Sequence, residues 1–252
     1  MKTLVALPVY NQERNIRDII SRVKVFASDI LILDDGSTDG SLELSSTIDS
    51  VQILSHQRNM GYGRTIIDAF RYTIKEGYEC LITLDADGQH EPEEIPLFLE
   101  SILHCDIASG SRFMLPFKAW RDVPADRYAI NMEITKIIRR ITRYQLTDAF
   151  CGFKAYRVEA LKKVRLTEHG YGMPLQLWLQ AWKLGLHIRE VPVKLIYGDT
   201  NRQFAGRLND PATRLAYYKE VIEKELKRGE KIVTRAECRG DRQGKIFSFT
   251  RP

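Results

Sequence analysis

The chain lacks the sequence signatures of several common protein classes. It contains neither the phosphate-binding pattern G-x-x-x-x-G-K nor the dinucleotide pattern G-x-G-x-x-G, and no run of about 18 apolar residues that would span a membrane. No C-x-x-C pair occurs, so neither a zinc site nor a disulfide framework is predicted for Cys80, Cys105, Cys151 and Cys238. We therefore expect a cytoplasmic protein, whose only membrane contact would be peripheral, at the cytoplasmic face.

The chain also lacks a strong charge of one sign. Its 38 Lys and Arg residues against 33 Asp and Glu residues give a net charge of only +5, so no nucleic-acid partner is predicted. Hydrophobic residues make up 44% of the sequence, which is enough to build the core of one large domain.

Strand and helix patterns alternate through the N-terminal part of the chain. This alternation predicts an α/β fold with an open, mostly parallel twisted sheet flanked by helices. Strands are predicted at 3–7, 29–33, 51–54, 80–84, 106–108 and 187–197, and a further short strand between Phe153 and the helix at 158–164. Helices are predicted at 15–26, 64–76, 127–142, 158–164, 173–184 and 209–227.

Four polar segments containing glycine, or opening on proline, follow predicted strands. They are PVYNQE from Pro8, DDGSTDG from Asp34, NMGYG from Asn59 and DADGQH from Asp85. The carboxyl ends of parallel strands meet at one edge of a sheet, and ligands bind there in open α/β proteins. We expect the four segments to form a nucleotide pocket together.

The segment from Asp85 to His90 predicts a metal site. Alternate residues of an extended chain point the same way, so Asp85, Asp87 and Gln89 can converge on one point. Their oxygen atoms suit a hard divalent cation such as Mg²⁺ or Mn²⁺. The alternative is a simple turn, in which Asp and Gly act only as turn formers.

A predicted helix near the middle of the chain combines an apolar stripe with a basic face. The cations are Arg127, Lys136, Arg139, Arg140 and Arg143. Such a helix either lies on anionic lipid or packs its apolar stripe on the core and exposes the rest to solvent.

These motifs, in their order, resemble those of a known family. PVYNQE, DDGSTDG, NMGYG, LDADGQHEPEEIP, SGSR and the D-x-x-C-G-F segment at 148–153 are similar to motifs of family 2 glycosyltransferases, in the subgroup of dolichyl- and polyprenyl-phosphate mannose or glucose synthases. The resemblance covers roughly residues 3–197. It implies a GT-A-type, Rossmann-like domain over 1–227, with a nucleotide half at about 1–112 and an acceptor half at about 113–227, followed by a basic tail at 228–252.

The resemblance also implies an activity: metal-dependent, inverting transfer of a hexose. The donor would be a nucleotide sugar of the GDP-mannose or UDP-glucose type, the cofactor Mg²⁺ or Mn²⁺, and the acceptor a lipid phosphate or a glycan. The implied nucleotide-sugar contacts are Pro8, Tyr10, Glu13, Asp35 and Asp85. The implied metal ligands are Asp85, Asp87 and Gln89, and the implied acceptor-binding residues are Arg112 and Arg127.

The catalytic candidates are Asp87, Arg112 and Asp148. A phosphate acceptor is already ionised and needs only cations to hold it, a role that suits Arg112. A hydroxyl acceptor needs a base, and Asp148 is the carboxylate nominated for that role. The structural alternatives are a turn cap for Asp148 and an ion pair across the mouth of the site for Arg112.

Three features depart from the subgroup's pattern, and all concern the acceptor. The segment 173–176 lacks the acidic residue that is common in that region of the subgroup. Cys151 stands where the subgroup usually has Ser, and the segment 197–206 only loosely resembles the R-x-x-G-x-S-K of lipid-phosphate enzymes. Two other functions stay open. One is a non-catalytic nucleotide-sugar-binding or scaffold subunit of a membrane glycosylation complex, and the other is a Mg²⁺-dependent phosphohydrolase, which also carries a D-x-D-G motif.

Overall fold

The computed structural model describes residues 1–114, 123–196, 204 and 206–240, with side chains up to residue 228. Within this part of the chain, seven strands form one sheet in the order β3-β2-β1-β4-β6-β5-β7. Their bounds are β1 Thr3–Val9, β2 Ile30–Asp34, β3 Gln52–Ser55, β4 Cys80–Thr83, β5 Ile107–Ser111, β6 Lys154–Arg157 and β7 Ile188–Pro192. All neighbouring strands pair in parallel except β6, which is antiparallel to both β4 and β5.

Helices flank the sheet. Their bounds are α1 Ile16–Val23, α2 Ser41–Ser46, α3 Tyr62–Lys75, α4 Ile95–Ser101, α5 Ala125–Thr142, α6 Val158–Leu161, α7 Met173–Lys183 and α8 Pro211–Gly240. None of the helices in the described ranges combines the length and the apolar character needed to cross a bilayer. The predicted α/β class and the mostly parallel sheet are confirmed.

The core lies in two layers because both faces of the sheet are covered. Side chains alternate along β1, so Leu4 and Ala6 join the layer beneath α3, α5, α7 and α8, whereas Val5 and Leu7 join the layer beneath α1 and α4. Burial on both faces explains why the central strands read as continuous apolar runs.

The direction of the strands brings the polar segments to one edge. β1, β2, β3 and β4 are mutually parallel, so the segments that follow them leave the sheet on the same side. β5 ends at that edge as well, immediately before Arg112. β6 runs in the opposite direction and therefore begins there, which delivers the segment 148–153 to the same edge.

Several element bounds differ from the predictions. β7 ends at Pro192 rather than at 197, because β5, with which it pairs in the described part of the sheet, ends at Ser111. α8 runs to Gly240 rather than 227, and most of the added residues are good helix formers. The short helices α2 and α4 were not predicted. The predicted tail beyond residue 240, and 197–203 and 205 of the loosely matching acceptor segment, lie outside the described residues.

Candidate active site

The segments after β1 and β2 are joined by hydrogen bonds. The backbone N–H of Asn11 donates to Ser37 Oγ at 3.0 Å, and Asn11 Oδ1 accepts from the N–H of Thr38 at 2.8 Å. The exposed Glu13 donates its backbone N–H to Asp39 Oδ2 at 3.1 Å and accepts from the N–H of Gly40 at 3.3 Å. These contacts give the rim of the sheet a defined shape at the predicted nucleoside end.

The other two predicted nucleoside residues flank this junction. Pro8 is half-buried in β1, and Tyr10 follows the strand with 44% of its surface exposed. An exposed aromatic ring beside a half-buried proline leaves apolar surface available for a planar base. Their contact with a nucleoside stays a prediction.

Asp35 organises the next segment of the rim. Its buried carboxylate accepts hydrogen bonds from the backbone N–H groups of Met60 at 2.8 Å and Gly61 at 2.9 Å, and His56 Nδ1 lies 2.7 Å from its Oδ1. Gly61 has φ of 99°, which a residue with a side chain rarely adopts. Asp35 therefore shapes the NMGYG turn, and its direct contact with a base or ribose stays a prediction.

The predicted metal ligands lie on the loop after β4. Asp85, Asp87 and Gln89 line one cavity, and Asp87 Oδ1 accepts a hydrogen bond from the backbone N–H of Gln89 at 3.0 Å. Among the described residues, Asp85 Oδ1 is buried without a hydrogen-bond partner. A buried carboxylate oxygen is costly to leave unsatisfied, so this atom points to a ligand. Burial and the charge of Asp85 together raise the pKa of the neighbouring Tyr62 well above its ordinary value.

Arg112 and Asp148 form an ion pair in the site. Arg112 donates from Nε to Asp148 Oδ2 at 2.6 Å and from Nη2 to Oδ1 at 3.0 Å. Asp148 is fully buried and also accepts from Asn131 Nδ2 at 2.8 Å and the backbone N–H of Phe150 at 3.0 Å. Burial alone would raise the pKa of Asp148, but the charge and hydrogen bonds of Arg112 outweigh it and hold that pKa far below its usual range.

This arrangement bears on the role of Asp148. A fully buried carboxylate in a bidentate ion pair is a weak proton acceptor, and both of its oxygens already accept hydrogen bonds. The Arg112 side chain, by contrast, is 18% exposed to solvent and lines the cavity. The geometry suits Asp148 to positioning Arg112, in line with the ion pair considered as an alternative for that arginine.

Two further arginines line the cavity, and both pack on Phe204. The Arg127 guanidinium lies 5.1 Å from the centre of the Phe204 ring, and that of Arg214 lies 4.4 Å from it. Arg214 is buried, donates to the carbonyl of Leu208 at 2.9 Å and pairs with Asp126. The cavity lining thus combines the carboxylates of Asp85 and Asp87 with three cations, Arg112, Arg127 and Arg214.

The sequence analysis did not predict Arg214 as a site residue, although the helical pattern around it could have indicated one. It lies on one helical stripe with the buried residues Tyr218, Val221, Ile222 and Glu225 of α8. An arginine on the buried stripe of a helix needs a partner or a function, because its charge is costly to bury.

Buried polar residues behind the cavity were also missed. Lys154 on β6 contacts the carbonyl of Cys151, and burial lowers its pKa despite the nearby charges of Asp148 and Asp85. His90 Nε2 lies 3.7 Å from Cys151 Sγ, and burial lowers the pKa of His90 to about 4 and raises that of Cys151 to about 12. A neutral imidazole and a neutral thiol therefore pack behind the loop after β4.

Comparison with known proteins identifies the family of the chain. Residues 4–165 match the family Glycosyl transferase family 2. The chain is 31% identical over 205 residues to undecaprenyl-phosphate mannosyltransferase of Micrococcus luteus, covering 78% of this chain and 84% of that protein. It is also 31% identical over 203 residues to polyprenol monophosphomannose synthase of Mycolicibacterium smegmatis, covering 76% of each.

A solved structure shares the fold. The complex of glucosyl-3-phosphoglycerate synthase from Mycobacterium tuberculosis with Mn²⁺, UDP and phosphoglyceric acid superposes with a TM-score of 0.65 at 16% identity, covering 89% of this chain and 77% of that one. At this identity the likeness concerns the fold, which is of the GT-A type.

The family match and the two relatives confirm the resemblance seen in the motifs. They also remove the phosphohydrolase alternative, because the D-x-D-G motif here follows the fourth strand of a glycosyltransferase domain. The chain belongs to glycosyl transferase family 2 and is a glycosyltransferase.

Proposed function

We propose that this protein transfers a hexosyl group, with inversion, from a nucleoside diphosphate sugar to a polyprenyl phosphate. One observation carries the proposal: a single cavity joins two carboxylates to three arginines and to an apolar wall. The apolar lining includes Phe113, Ile130, Phe150, Leu195, Phe204 and Tyr218. An acceptor with an ionised phosphate and a hydrocarbon chain matches cations beside apolar rings, whereas a glycan would call for more neutral polar groups.

A divalent cation fits the carboxylate end. Among the described residues, no three His, Cys, Asp or Glu side chains form a complete metal cluster, so the protein would supply only part of the ligand set. The fit rests on the orphaned oxygen of Asp85 together with the hard oxygen donors of Asp87 and Gln89. Mg²⁺ or Mn²⁺ held there would neutralise charge on the departing diphosphate.

The protein's own groups would orient the two reactants. Pro8, Tyr10 and Glu13 would hold the nucleoside on the rim, and Arg112 with Arg127 would hold the acceptor phosphate. One phosphate oxygen then forms a bond to the anomeric carbon as the bond from that carbon to the diphosphate breaks. The acceptor is already ionised, so this step needs no general base, in agreement with the buried, ion-paired state of Asp148.

The proposal is tested with purified protein, Mn²⁺ and a panel containing GDP-mannose and UDP-glucose. The correct donor is expected to raise the melting temperature by mass action, and the sugar is expected to appear on undecaprenyl phosphate but not on undecaprenol. EDTA should abolish transfer. Transfer to a free hydroxyl would contradict the phosphate acceptor, and donor binding without transfer or slow hydrolysis would favour a non-catalytic subunit.

Replacing Gly152 by Ala tests the metal end. A Cβ at this position would lie 2.6 Å from Asp85 Cγ and Oδ1 and closer still to Oδ2, so the carboxylate would have to move. We expect Mn²⁺ affinity to fall roughly tenfold, in line with the usual cost of overpacking. Calorimetric titration of Mn²⁺ in the presence of the nucleoside diphosphate measures this affinity.

Gly185→Ala is the matched control for this substitution. Gly185 has φ of 65° and open space around it, so Ala there should lower the melting temperature without altering Mn²⁺ affinity. Unchanged affinity in Gly152→Ala would show that Asp85 is not a ligand in its present position.

A further inference from the structure

The exposed side of α5 carries a basic groove that the proposed reaction does not use. Lys136, Arg139, Arg140 and Arg143 are all exposed and line this groove, with Tyr144 and Gln145 beside them. Lys136, Arg139 and Arg140, at i, i+3 and i+4, lie on one face of α5, and Arg143 follows directly as the C-terminal cap of that helix. We call this surface the basic groove.

The charge of the basic groove is not neutralised by its neighbours. Across the described residues, none of the four cations forms an ion pair. The two carboxylates of α5 are both engaged by α8, since Asp126 pairs with Arg214 and Glu133 Oε1 lies 2.6 Å from Lys219 Nζ.

Other carboxylates near the groove are occupied as well. Asp106, whose charge acts on Tyr144, accepts a hydrogen bond from the backbone N–H of His187 at 2.8 Å. Glu190 Oε1 accepts hydrogen bonds from the backbone N–H groups of Thr147 at 2.8 Å and Asp148 at 3.0 Å. The four positive charges of the basic groove therefore face solvent together and favour an anionic surface.

The basic groove borders the cavity that carries Arg112 and Arg127, which we call the acceptor cavity. Phe113 lines both, and its ring packs edge-on against that of Tyr128, with the ring centres 5.5 Å apart. Met132 is half-buried on the same side of α5 and also lines the groove. Aromatic and apolar groups next to cations are typical of surfaces at the headgroup level of a membrane.

We propose that the basic groove docks on the anionic headgroups of a lipid bilayer and turns the mouth of the acceptor cavity toward the membrane. The proposal rests on the proposed function only for the reason to dock, namely an acceptor whose hydrocarbon chain lies in the bilayer. The docking itself follows from four unneutralised cations beside the apolar mouth of the cavity. A soluble polyanion would match the charge but not the adjoining rings.

Vesicle sedimentation tests the proposal on the full chain. Arg139→Gln combined with Arg140→Gln should weaken binding to phosphatidylcholine vesicles containing phosphatidylglycerol about 30-fold, because each basic residue near an anionic surface contributes roughly a fivefold gain. Added salt should also weaken the binding of the wild-type protein to these vesicles, because it screens the charges. Vesicles of phosphatidylcholine alone should bind poorly.

The matched control removes two exposed cations from the opposite side of the sheet. Arg17→Gln with Lys24→Gln changes α1, which packs on the other core layer, and should leave vesicle binding unchanged. Equal loss in both double variants, or equal binding to uncharged vesicles, would overturn the docking face. A wild-type protein that binds neither kind of vesicle would also overturn the docking proposal.

An activity measurement separates docking from catalysis. With a short-chain polyprenyl phosphate dissolved in detergent, the Arg139 and Arg140 double variant should transfer sugar as fast as the wild type. Loss of that activity would place these residues in the reaction and overturn a pure docking role. Vesicle binding through this face by a protein that transfers no sugar would instead refute the proposed function and leave the docking intact.

Discussion

Replacing Asp87 by Ala is expected to lower the rate of sugar transfer by at least about 100-fold, because stabilising charge on a leaving diphosphate is worth several kcal/mol of barrier. Asp87 lines the cavity together with Asp85 and Gln89, and in the proposed reaction it holds the cation that neutralises the departing group. The steady-state rate with Mn²⁺ and saturating donor measures the loss. A titration of Mn²⁺ should show weaker binding in parallel.

The controls for Asp87 separate charge from loop shape. Asp87 Oδ1 accepts the backbone N–H of Gln89, and Asp87→Asn keeps an acceptor oxygen there while removing the negative charge. Asp87→Asn should therefore lose activity almost as fully as Asp87→Ala. Asp18→Ala removes an exposed carboxylate from α1 and should have no effect. Near wild-type turnover in Asp87→Asn would remove the metal-binding role.

The sequence predicted the rim of the site well because strand direction and strand ends are local properties. Alternating strand and helix patterns imply parallel strands, and parallel strands bring the segments after β1, β2, β3 and β4 to one edge. The hydrogen bonds from Asn11 to Ser37 and from Gly61 to Asp35 show these segments in contact. The loop that carries Asp85, Asp87 and Gln89 follows from the same reasoning.

The acceptor side was harder to predict because it depends on tertiary packing. The antiparallel insertion of β6 between β4 and β5 brings Asp148 to Arg112, and four residues, KAYR, contain no pattern that specifies such a neighbour. Arg214 joins Arg127 at the Phe204 ring only through the packing of α8 on α5. Neither relationship follows from spacing along the chain.

Asp148→Asn is expected to reduce both stability and acceptor binding, through Arg112. Removing one member of a buried ion pair costs about 3–5 kcal/mol, because the remaining charge is left without its partner. Asp148 is fully buried and holds Arg112 through two hydrogen bonds, so Asn at this position can keep the contacts to Asn131 and Phe150 but not the paired charge. Thermal unfolding measures the first effect, and KM for the polyprenyl phosphate measures the second.

A double-mutant cycle with Arg112→Gln decides between positioning and proton transfer. If Asp148 acts through Arg112, the two substitutions share one effect and their losses do not add. KM for the acceptor should then rise in both single variants, and the dependence of kcat on pH should keep its shape. Loss of kcat in Asp148→Asn alone, with Arg112→Gln still active, would instead identify Asp148 as a general base and require a hydroxyl acceptor. Arg112→Lys is a further control, since it keeps the charge but loses the planar guanidinium group that binds Asp148 through two hydrogen bonds.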